Sequence, residues 1–368
     1  MASSSSSATS QASVSAVEPT TDTRDVKQET QRILRAAALN IVVLIDHVNK
    51  FEGTDGTAAG FSGPDFKKTI DDLANAIDKE VTRFMIACKP PALDVEIKAL
   101  CPKINAGFFH LVQQFDHIPK LAGKTYLDAV RKAVSRSLVS IVMLFNSFID
   151  EKVEIDKNVL SDLAYTASSG IFWEHCKALS QIPADNKAAV SSAWVFSVSS
   201  LIKDASEELR DSLEEAESKD NESDDDNDGY SDDDSMNEFD PDIPAVRVAD
   251  GKKIHKMVML TKHTCDKIGL RCIRDCSPLD DERTIWLDRL LDLGKPVQNA
   301  VDDLIATLFI EDDAEWKKQS VIETGRLVNL LGELVTLAIT FVDDSHLPWF
   351  ELCRKQLDAT KHSSAIAR

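Results

Sequence analysis

The sequence predicts an all-α protein: two antiparallel helical bundles joined by a long helix and an acidic disordered linker. Three observations carry that prediction. Glycine and proline are scarce, 13 and 12 in 368 residues, and scarcity of both favours helices. Apolar residues recur at spacings of three and four through most of the chain, one face of a 3.6-residue period. No β-rich run bounded by turn residues interrupts them. The chain is 43% hydrophobic and 28% charged, a globular composition with length for two ordinary domains.

The opening, MASSSSSATSQASVSAVEPTTDT, lacks the apolar core of a signal peptide. Its Ser/Ala bias fits a transit peptide, but no arginine precedes Arg24. Residues 1–21 are therefore expected to be a disordered, uncleaved tail. An N-terminal bundle is expected over 22–217. Its first helix, 22–51, shows Val26, Thr30, Ile33, Ala37, Ile41, Leu44 and Val48 on one face. A glycine-containing loop follows, and Pro64 opens a second helix carrying Phe66, Ile70, Leu73, Ile77, Val81 and Phe84. Lys89-Pro90-Pro91 ends it. Further helices are expected over 93–118, with a break or kink at Pro102, and over 121–149 and 157–179. The long helix, 184–217, shows an apolar face of Val190, Trp194, Val198, Leu201, Ala205 and Leu209.

Residues 218–242 read as the acidic linker. From Glu214 to Asp242 there are fifteen acidic residues and one basic residue, Lys219. That stretch supplies most of the net charge of −20, leaving the rest nearly neutral. An acidic balance disfavours nucleic acid as a partner. No apolar run approaches the ~20 residues of a membrane span. A C-terminal bundle is expected over 243–368, with helices over 245–276, 280–309, 312–342 and 346–361. In the third of these, Val321, Val328, Leu331, Val335, Ala338 and Val342 form the apolar stripe.

Several stretches invite a chemical reading. Asp224-Asp225-Asp226-Asn227-Asp228-Gly229 spells the first half of an EF-hand loop. Position 12, however, falls on Ser235 where a bidentate glutamate is needed, and Pro241 and Pro244 deny it an exiting helix. A solvated acidic run is the better reading. Ser223 and Ser231 each have acid at +3, and Ser235 has Glu238 there. All three are candidate sites for an acidophilic kinase. Cys265, Cys272 and Cys276 fall on one helix face near His255 and His263, but without a Cys-x-x-Cys knuckle, and they read as buried core thiols rather than a zinc site. His175 and Cys176 are adjacent, so they point apart on a helix. No catalytic, cofactor or metal motif is found. The odd count of seven cysteines fits reduced thiols in cytosol or nucleus.

The stretch from Gly170, GIFWEHCKALSQIPADNKAAVSSA, followed by Lys203-Asp204-Ala205 and Glu207-Glu208-Leu209, resembles the cyclin-D-binding protein family, also called Grap and cyclin D interacting or maternal Id-like protein. The acidic linker and second helical region sit where that family has them. The resemblance implies a non-enzymatic interaction adaptor in cytoplasm and nucleus. Its partners would be D-type cyclins and helix-loop-helix factors, and it would restrain the cell cycle or transcription. The sequence departs from a zipper: Leu327, Leu330, Leu331, Leu334 and Leu337 look like an ordinary bundle stripe. Two other readings of a helical, acidic protein are a chaperone that shields basic proteins such as histones and a vinculin- or talin-like scaffold.

Overall fold

The computed structural model describes residues 21–55, 60–88, 94–155, 163–222, 243–277 and 279–366. Among these the fold is all-α, as predicted. The helices are α1 (Thr21–Lys50), α2 (Gly63–Ala87), α3 (Asp94–Phe115), α4 (Lys124–Asn146), α5 (Tyr165–Leu179), α6 (Asn186–Trp194), α7 (Ser200–Glu222), α8 (Val248–Ile268), α9 (Asp281–Ala306), α10 (Asp313–Ile339) and α11 (Leu347–Ile366). α5 begins at Tyr165, well inside the expected 157–179, because Ala164 is extended and caps it.

Contacts group the chain into two compact units that do not follow the division at the linker. One gathers the described residues of Met1–Lys50, Ile70–Gln113 and Val134–Ser180. The other gathers those of Phe51–Thr69, Gln114–Ala133 and Gln181–Arg368. The long helical segment 186–222 thus packs with the C-terminal helices.

In the first unit, the Phe84 ring meets the edges of Phe145 and Phe148 at 5.4 and 5.6 Å between centroids. Phe148 in turn meets Tyr165. Edge-on pairs of this kind add stabilisation beyond their buried area. After α4 the chain is held by Asn146, whose side chain donates to Val153 O at 2.8 Å and accepts from Val153 N at 2.9 Å. Both groups are buried, so this reciprocal pair satisfies backbone atoms that water does not reach.

In the second unit the core centres on Trp194. Its indole is buried, and its Nε1 donates to Cys265 O at 3.2 Å. A Cβ on Gly294 would lie 2.5 Å from the indole, and one on Gly269 3.0 Å from Nε1. The ring therefore fills space that only glycine leaves open. Two π-helical stretches flank this contact, Val195–Ser199 after α6 and Gly269–Arg274 after α8. The first widens the turn and shifts the register of the residues just after it. Val190, Trp194, Val198 and Leu209 are buried as predicted, but between Val198 and Leu209 the stripe runs through Ile202 and Ser206, and it continues to Leu213. Leu201, expected in the core, is 42% exposed. The extra residue per turn moved the core position by one. In α10 the expected Val321 is 45% exposed, because the stripe enters through Trp316, Glu323 and Leu327 instead.

The start of α4 is capped from a distance. The carboxylate of Asp288 on α9 accepts from Lys124 N at 2.8 Å and Thr125 N at 3.1 Å. Asn186 accepts from Tyr126 N at 3.0 Å and donates to the same carboxylate at 3.1 Å. Gly123, with φ +107°, turns the chain directly against Asn186 where a side chain would collide. An anion at a helix N-terminus meets both the free N–H groups and the helix dipole. The end of α9 is closed by buried Arg247, which donates to Leu308 O and Glu311 O at 3.1 Å, to Ile310 O, and to Asp313 at 2.8 Å. Its guanidinium lies over the Trp316 ring.

Trp194→Ala is expected to lower the free energy of unfolding by ~3–5 kcal/mol, and an unchanged denaturant midpoint would remove Trp194 from the centre of the core. Asp288→Ala removes the acceptor of two part-buried backbone N–H groups and one of the two acceptors of Asn186, and is expected to cost about 1–3 kcal/mol. Urea titration of each variant measures both.

Candidate protein-interaction site

α3 is apolar on two opposite faces. Ile97, Leu100, Cys101, Ile104, Phe108, Leu111 and Val112 are buried. Directly opposite, at alternating spacings of four and three, stand Val95, Ala99, Pro102, Ala106 and Phe109, all exposed. Val95 is 79% and Phe109 50% open to solvent. A surface helix ordinarily puts charge on its outer face. α1 does so: its exposed Leu39 and Val43 share that face with Arg32, Asp46 and Lys50, the first paired to Glu29 and the last two to each other. The outer row of α3 carries no charge from Val95 to Phe109, and Lys98 and Lys103 flank it.

Pro102 sits within α3. Proline removes one helical hydrogen bond, here to the carbonyl of Lys98. Both residues are exposed, so water can serve that carbonyl and the helix continues past the expected break. The middle of the row is small, Ala99, Pro102 and Ala106, with larger Val95 and Phe109 at its ends. That shape admits a partner helix closely, because interaxial distance is set by the side chains at the contact. A continuous exposed apolar row is the surface signature of a docking site.

In the other unit, the π-helical stretch after α6 turns Val195 and Phe196 outward, Phe196 being 80% exposed. Beside it lies a shallow groove of about 280 Å³ lined by Ser191, Val195, Leu270 and Arg274 among others.

The residues singled out in the sequence are placed as follows. Ser223, Ser231 and Ser235, and the loop Asp224–Gly229, lie outside the described residues, as do residues 1–20 of the expected 1–21 tail, whereas Thr21 opens α1. Cys265, Cys272 and Cys276 are buried in the Trp194 core with Val258 and Ile268. Burial pushes the Cys272 thiol up to about 12, with Cys276 adding to the effect. The stripe Leu327, Leu331 and Leu334 is buried in the same core, so these leucines pack within the chain. His175 contacts Arg136 O, whereas the Cys176 thiol is buried against Ala74 O. The two side chains face different neighbours. Among the described residues no helix is long and apolar enough to cross a membrane.

Residues 69–215 match the family model described as Grap2 and cyclin-D-interacting, N-terminal. Similarity to curated relatives runs well beyond those residues. A zebrafish (Danio rerio) protein named Cyclin-D1-binding protein 1 homolog is 26% identical over 83% of this chain and 87% of its own. The chain is thus similar to the Grap2 and cyclin-D-interacting proteins. The Xenopus laevis homolog is 24% identical over 75% of this chain and 80% of its own. Human Cyclin-D1-binding protein 1 is 23% identical over 75% and 77%. The family is named for protein interaction, and α3 and the Phe196 turn both fall inside the matched residues.

The outer row of α3 was missed in the sequence because one apolar stripe was enough to define the helix. The signal was present: two interleaved stripes, with the outer one uncharged. Phe109→Ser is expected to leave thermal stability within ~0.5 kcal/mol, as at other surface positions. Phe108→Ala, one residue away on the buried face, is expected to cost ~3–5 kcal/mol. Equal effects in thermal melts would show that Phe109 is not a free surface residue.

Proposed function

We propose that this chain is a non-enzymatic adaptor of cytoplasm and nucleus that binds a D-type cyclin through the outer face of α3, and so restrains cell-cycle entry or transcription. The observation that carries the reading is similarity to proteins named for binding cyclin D1, over three quarters or more of the chain. The uncharged row Val95–Phe109 supports a helix-mediated contact, since an apolar face of this spacing accepts the a and d residues of a partner helix. Pairing with helix-loop-helix factors by a leucine zipper is not part of this proposal, because Leu327, Leu331 and Leu334 already pack inside the chain.

Recombinant D-type cyclin is tested for co-purification with the full chain. Ala106→Glu and Phe109→Asp place charge at the centre and end of the row. Each is expected to weaken binding by about 2 kcal/mol, the scale of an interface hot spot, with the circular dichroism spectrum unchanged. Cyclin binding that survives both substitutions would move the contact away from α3. No binding by the unaltered chain would end the cyclin reading.

A further inference from the structure

The second unit carries another open surface, and it is acidic. α7 and α9 leave between them a groove of about 760 Å³. Ala205, Leu209, Ile305 and Phe309 supply an apolar floor. Glu208, Asp211 and Glu215 edge it from α7, and Asp302 from α9. No lysine or arginine lines it. Arg210 compensates one wall in part, meeting Asp211 at 2.8 Å and Glu214 at 3.9 Å. Asp303 is turned to Arg326 at 2.5 Å.

Burial raises the Asp302 carboxyl above its ordinary value, and the charges of Asp303 and Glu208 raise it further, against a hydrogen bond from Gln298. Apolar floor between carboxylate walls is the inverse of one kind of ligand, a helix with an apolar stripe flanked by lysine and arginine. Residues 205–215 of α7 amount to three turns, roughly 15 Å, the footprint of a short helix. The chain that continues from α7, residues 223–242, has ten acidic and no basic residues. It is therefore not complementary to the groove, whereas its charge draws a basic partner to this end of α7.

We propose that the α7–α9 groove docks a basic amphipathic helix from a partner protein. The partner's apolar residues at i, i+3 or i+4, and i+7 would rest on Leu209, Ile305 and Phe309, and its basic residues on Glu208, Asp211 and Asp302. This goes beyond the cyclin reading and uses none of the α3 residues, so either can fail alone.

The probe is a fluorescent synthetic peptide of roughly twelve residues, with leucines at helical spacing and lysines elsewhere. Fluorescence anisotropy with the full chain is expected to show binding that weakens as salt rises. A Glu208→Gln/Asp302→Asn double variant is expected to bind roughly tenfold more weakly, the effect of two rim charges. Its melting temperature should not fall, because a like-charge contact is relieved. Ala306→Arg, which puts a cation at the floor, is a second variant with the same expected loss. A matching peptide with glutamate for lysine should not bind. Equal affinity of the unaltered chain and both variants would overturn the proposal. So would binding abolished by deleting residues 223–242 but untouched by the groove variants, or no binding by the unaltered chain.

Discussion

The second unit depends on how a tryptophan is seated. Trp194 needs two glycines, Gly269 and Gly294, and a carbonyl acceptor on α8. With the ring there, the backbone after it widens into a π-helical stretch. That widening sets the phase of α7. Because Ile202 and Leu213 turn inward, Glu208, Asp211 and Glu215 come to one edge of a groove. The seat of one side chain and the acidic edge thus lie on one helical segment, roughly four to six turns apart.

The two candidate surfaces differ in what they discriminate. The α3 row is uncharged and shaped by small residues, so its selectivity comes from fit. The α7–α9 groove is walled by carboxylates, so a partner proposed for it would be selected by charge. An adaptor with both surfaces would hold two partners chosen by different physics without competition for one face.

Much of the fold was legible before any coordinates. The 3.6-residue period gave the helices, Pro64 opened α2 and Asp280 and Asp312 cap α9 and α10 through their side chains. Leu201 was misplaced because a π-helical insertion leaves no mark in a periodicity count: apolar residues stand at both 201 and 202. The Asp288 cap was invisible because it joins residues more than 160 positions apart. The α3 row and the acidic groove were illegible for another reason. Amphipathic pattern reports the face a helix turns inward, while a contact surface depends on what the neighbouring helices leave uncovered.

All seven cysteines are free and buried, spread over α3, α5, α8, α11 and the segments that follow α2 and α8. Burial holds Cys88, Cys101 and Cys176 up at about 12, so near neutral pH almost no thiolate is present to react. Alkylation of these thiols is expected to follow local opening of the structure around them. Each thiol is a built-in clock for its own part of the chain, and the order in which the seven are labelled ranks how often each region of the protein breathes.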